Sequence, residues 1–135
     1  MASFVDTNIF IHFLLRFDPD PFARCRKLLA GAEEGKLDLE TSAMTIAELI
    51  WFLARPPVRM RPPQIRGQIE PLLTLRGLRV PEKDLVFQAL ALYTSTGIGF
   101  IDAYNAAIMR KRGLDRIYSY DTDFDSVPGI TRTEP

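Results

Sequence analysis

Short apolar runs of strand length alternate along this chain with longer segments of helical periodicity, and that alternation restricts the folds open to it. Residues 2–6 (Ala-Ser-Phe-Val-Asp) predict a short buried strand, Leu37–Thr41 a second, Leu78–Val80 a third and Arg116–Tyr120 a fourth; Ile130–Arg132 adds an edge strand. Between them, Ile9–Leu15 suits a short buried helix. A second helix runs to about Glu34, with Asp20 as N-cap and Pro21 at its first position. Thr45 opens a third helix carrying Ile46, Leu49, Ile50 and Leu53, which Pro56-Pro57 closes. Further helices are expected over Pro63–Leu75, weakened by Gly67 and Pro71, from Pro81-Glu82 to about Ser95, and over Ile101–Arg112. Strands alternating with helices predict an α/β fold on a mostly parallel sheet.

The 135 residues fit one domain, residues 1–135, and at 47% hydrophobic and 25% charged they can bury a core. Cys25 is the only cysteine and His12 the only histidine, which excludes an internal disulfide, a multi-cysteine zinc site and paired-histidine metal motifs. Ile9–Leu15 is far short of the ~20 residues that span a bilayer, and Asp6 interrupts the N-terminus before any signal-like stretch, so a cytoplasmic protein without membrane association is expected. Net charge is zero, but residues 55–79 hold six arginines against Glu70 alone. The four prolines and two arginines of residues 56–63 predict a loop or extended arm.

In an open α/β sheet, ligands bind beyond the carboxyl ends of the strands. Asp6 and Asp121 end predicted strands, while Glu48 and Asp102 fall in the first turns of helices that begin nearby. Two like charges ~4 Å apart cost about 4 kcal/mol at an effective dielectric near 20, so converging carboxylates need protons or a divalent cation. Hard oxygen ligands select Mg²⁺ or Mn²⁺. Each acid also has a structural reading. Thr45-x-x-Glu48 matches a capping box, Asp102 suits a helix macrodipole, and Asp121-Thr-Asp-Phe-Asp suits a turn. A calcium loop fails on spacing, because Ser126 and Arg132 stand where glycine and glutamate are needed. Asp6 closes an apolar run, where a merely solvated charge is not expected.

The segments Phe4-Val5-Asp6-Thr7-Asn8-Ile9-Phe10, Thr45–Glu48, Phe100-Ile101-Asp102-Ala103-Tyr104 and Ser119-Tyr120-Asp121-Thr122-Asp123-Phe124 together resemble PIN-domain nucleases of the VapC type, the toxin halves of bacterial toxin–antitoxin pairs. The resemblance covers essentially the whole chain and rests on the ordered set rather than on any one motif. It implies a PIN-like three-layer sandwich, with helices flanking a central sheet. It also implies that Asp6, Glu48, Asp102 and Asp121 are the catalytic acids and hold Mg²⁺ or Mn²⁺, with Asp123 as a further, more variable metal ligand and Thr7 and Asn8 in support. The implied activity is endoribonuclease cleavage of RNA phosphodiester bonds by metal-activated water, leaving a 5′-phosphate and a 3′-hydroxyl. A VapB-like antitoxin and a homodimer are the implied protein partners, with the Ile46–Leu53 helix, including Trp51 and Phe52, as a candidate interface.

The motifs contain no histidine or lysine, so proton transfer would fall to carboxylates and water. The arginines of residues 55–79, with Arg110, Lys111 and Arg112, would supply the attraction for RNA that an acidic pocket lacks. Tyr93 and Tyr104 suit base stacking or core packing, His12 a helix face, and Cys25 no nucleophilic role. Two alternatives stand beside the nuclease. One is a catalytically silent PIN-like module that binds RNA or protein. The other is a different Mg²⁺-dependent α/β phosphate-handling hydrolase. Asn8 disfavours the haloacid-dehalogenase type, which needs a second aspartate at that place.

Overall fold

A computed structural model describes residues 1–135. Its residues group into two units, Met1–Lys83 and Asp84–Pro135, built from six α-helices and five short strands in which every strand pairing is parallel. The fold class is α/β.

In the first unit, strands β1 (Ser3–Phe4), β2 (Leu39–Glu40) and β3 (Leu78–Arg79) form a parallel sheet with β2 central, in the register Ser3 to Leu39 to Leu78. The helical connections force this arrangement, because two helices separate each strand from the next. Helices α1 (Thr7–Leu15) and α2 (Pro19–Glu33) follow β1, and α3 (Ala43–Ala54) and α4 (Pro62–Leu73) follow β2. α1 packs against α2 and α3, and α3 against α4. The fully enclosed side chains are those the 3.6-residue period predicts: Phe10, Ile46, Leu49, Leu53, Ile65, Ile69 and Leu73. Gly77 enters β3 where a Cβ would lie 2.5 Å from the carbonyl oxygens of both Ala32 and Leu37, so the chain passes there only without a side chain.

Several local expectations shift. The N-cap of α2 is Asp18 rather than Asp20, with Pro19 opening the helix. α4 runs through Gly67 and Pro71, since Pro71 lies near its C-terminal end and is exposed there. Residues 56–61 are no extended arm: the Arg59 N–H donates to the Arg55 carbonyl at 3.0 Å and the Met60 N–H to the Leu53 carbonyl at 2.8 Å, folding the segment back onto the end of α3.

In the second unit, α5 (Lys83–Thr96) and α6 (Phe100–Lys111) precede β4 (Arg116–Tyr118), a 3₁₀ turn over Thr122–Ser126 and β5 (Thr131–Thr133). The predicted edge strand therefore pairs, parallel to β4, with Arg116 opposite Thr131. Tyr93 is buried with its ring edge-on to Phe100, which places it in the core rather than on a binding face. No helix is long and apolar enough to cross a membrane.

Candidate metal centre

The first unit contributes two of the predicted acids. Asp6 follows β1 and forms the N-cap of α1 in extended backbone geometry, yet its carboxylate caps none of the helix's own N–H groups and stays exposed. A carboxylate at a helix N-terminus that leaves these donors unused is available for another ligand. The neighbouring chain is anchored, because buried Thr41 donates through Oγ1 to the Val5 carbonyl at 2.8 Å, tying the end of β1 to the residue after β2. Ser42 then caps α3, its Oγ accepting the Thr45 N–H at 3.1 Å. The helix thus starts before Thr45, and Glu48 lies in its second turn. The capping-box reading of Thr45 and Glu48 is overturned. Instead, buried Thr7 donates through Oγ1 to Glu48 Oε1, so the helix that follows β1 fixes the acid on the helix that follows β2. Asn8 is exposed beside them.

The second unit contributes the other three. Carboxylate oxygens of Asp102, Asp121 and Asp123 all lie within 4.8 Å of one another. Asp102 stands in the first turn of α6, half-buried, after Gly99. Asp121 caps the 3₁₀ turn, its Oδ1 accepting the Asp123 N–H at 2.9 Å, while its own N–H donates to Ser119 Oγ at 3.0 Å. Burial holds the Asp102 carboxyl above its ordinary range, and the negative charges of Asp121 and Asp123 and a carboxyl hydrogen bond with Asp121 push it the same way. Asp125, in the same acidic run, is drawn off by Arg132 at 3.0 Å. That pairing separates the site from the rest of the turn, and the sequence alone did not reveal it, because the arginine arrives on β5.

Three carboxylates this close, with one forced toward its protonated form, make an all-oxygen donor set that suits a hard divalent cation. By contrast, burial raises the pKa of the lone Cys25 thiol, which keeps it unreactive.

A PIN domain family model matches residues 3–130. The chain belongs to the PIN domain family. The family's fold is an α/β sandwich, and PIN domains are typically nucleases. Among solved structures, this PIN domain is similar to Mycobacterium tuberculosis VapC20, a sarcin-ricin loop cleaving toxin, at 22% identity over all of both chains and a TM-score of 0.41. It is also similar to VapBC2 from Rickettsia felis bound to a DNA fragment from its promoter, at 14% identity over 99% of this chain and 98% of the other, with a TM-score of 0.39. A toxin–antitoxin complex from Klebsiella pneumoniae gives 18% identity over 96% and 95% of the two chains and a TM-score of 0.34. No curated protein matches the chain.

Proposed function

We propose that this PIN domain is a Mg²⁺- or Mn²⁺-dependent endoribonuclease and the toxin of a toxin–antitoxin pair. The observation that carries the reading is the Asp102–Asp121–Asp123 cluster, whose mutual repulsion is relieved by a proton or a cation. Asp102, Asp121 and Asp123 would hold the ion in their unit. The family resemblance would assign Asp6 and Glu48 to the same reaction, and the family match running from residue 3 to residue 130 supports one nuclease domain. The cation, when bound, supplies an activated water and neutralises charge on the phosphate and the leaving oxygen.

The chain's own groups set the protonation and the geometry. Burial and the facing Asp121 and Asp123 carboxylates hold the Asp102 carboxyl above its ordinary range, so it gives up its proton less readily than a free aspartate. Asp121 Oδ1 is fixed by the Asp123 N–H and Glu48 Oε1 by the Thr7 hydroxyl, so each of these acids has one oxygen oriented by a neighbour. With no histidine or lysine in the four motifs, carboxylates carry the proton transfers. A VapB-like antitoxin, a homodimer and a cytoplasmic location complete the proposal, supported by the family and by exposed apolar side chains such as Phe4, Phe17 and Ile101.

The test is cleavage of single-stranded RNA with Mn²⁺ or with EDTA, comparing wild type with Asp6→Asn and Asp102→Asn. Activity should need the metal and fall at least about a hundredfold in either variant, on the scale of losing a catalytic electrostatic group. Cleavage that persists in EDTA, or full activity in both variants, would contradict the assignment.

A further inference from the structure

α3 carries an exposed stripe that the core does not use. Met44, Glu48 and Trp51 recur at intervals of four and three residues, which places them along one helical face; Arg55 follows as the C-cap, and all four are exposed. Trp51 is the only tryptophan and is 60% exposed, and the Arg55 guanidinium lies 3.8 Å from its ring centroid. The backbone bonds from Arg59 to Arg55 and from Met60 to Leu53 hold Arg59 and Arg61 at this same end of α3. The six arginines of residues 55–79 are therefore not equivalent. Arg66 and Arg79 are paired with Glu70 and Glu40, whereas Arg55, Arg59 and Arg61 are exposed and face no carboxylate partner.

We infer that this end of α3 is a docking site for single-stranded RNA beside the cleaved bond, with a nucleobase stacked on Trp51 and backbone phosphates met by Arg55, Arg59 and Arg61. The inference rests on the ribonuclease reading and adds to it the surface that holds the substrate. An indole accepts any base on its π-face; Arg55 covers one face of Trp51, so the base takes the other, with the guanidinium charge close by. Unpaired arginines supply the attraction that the acids cannot. Glu48 lies one turn away on the same stripe, so the stacked base belongs to a nucleotide next to the reacting phosphate. The helix is also the dimer interface expected from the sequence, and charge decides between the two occupants: three exposed arginines without carboxylate partners suit a polyanion.

Trp51 fluorescence reports the site directly. The probe is a short oligouridine titrated into Glu48→Gln protein in EDTA, with an abasic strand of equal length as control. The oligouridine should quench Trp51 saturably and the abasic strand should not. By anisotropy of labelled RNA, Trp51→Ala should bind on the order of tenfold more weakly, and Trp51→Phe should recover most of that loss. Arg59→Gln and Arg61→Gln should each flatten the salt dependence of log affinity by about 0.7. Equal quenching by the abasic strand, no quenching, or unchanged affinity in Trp51→Ala overturns the proposal. A smaller sedimenting species in Trp51→Ala with RNA affinity intact also overturns it, and gives the face to a second copy or another protein. Should wild type bind RNA as described yet never cut it, the docking site stands and the ribonuclease reading falls.

Discussion

Asp102 shows how one side chain carries both a structural cost and a chemical use. Its folded carboxyl holds its proton more tightly than in the unfolded chain, because burial and the facing Asp121 and Asp123 charges disfavour ionisation. Between the unfolded and folded pKa values the native state therefore binds more protons. Stability falls as pH rises through that window and stays lowered above it. Metal-free Asp102→Asn should melt higher than wild type at neutral pH, and the gap should close on acidification below the ordinary aspartate range; scanning calorimetry in EDTA checks this, and a lower melting temperature at neutral pH would count against it. Asp6 stood out in the sequence because it closes an apolar run, whereas Asp102, in the first turn of a helix, had a structural reading and was singled out through the ordered set of motifs. Within the Asp121–Asp125 run the resemblance singled out Asp121 and Asp123, and the Arg132 pairing of Asp125, which no local pattern announces, gives the physical reason for leaving it out.

Among elements, the start of α3 decides where Glu48 points. The sequence offers Thr45 as a helix opener, and Thr45-x-x-Glu48 imitates a capping box. Ser42, three residues earlier, takes the cap and carries Glu48 into the second turn, where Thr7 meets it. Ser42 and Thr45 are both competent caps, so the local sequence leaves the register open, and the Thr7 partner of Glu48, 41 positions away, is not visible in it at all. Ser42→Ala should cost about 1 kcal/mol in urea unfolding and lower cleavage beyond what that loss of stability explains. Gly77→Ala should cost about 1–3 kcal/mol, toward the upper end because its Cβ would meet backbone carbonyls rather than yielding side chains. Helix and strand existence was legible from periodicity throughout. The closure of residues 56–61 onto α3 was hidden because prolines and arginines signal a loop without saying where its backbone bonds go.

Across the whole molecule, zero net charge conceals a division of labour. Acids gather at Asp102, Asp121 and Asp123, and unpaired arginines at the end of α3. Neither feature is visible in the total, though the local excess of arginine over residues 55–79 was. Under the proposed chemistry the chain tolerates its acidic cluster because a divalent ion binds there, and a ligand at a hundred times its dissociation constant adds about 2.7 kcal/mol of stability. The most direct test is a titration with Mn²⁺ that follows free ion by electron paramagnetic resonance, in wild type and in Asp102→Asn. Saturable binding by wild type that Asp102→Asn weakens at least about tenfold is the predicted result. No binding by wild type, or identical binding by the two proteins, would contradict it.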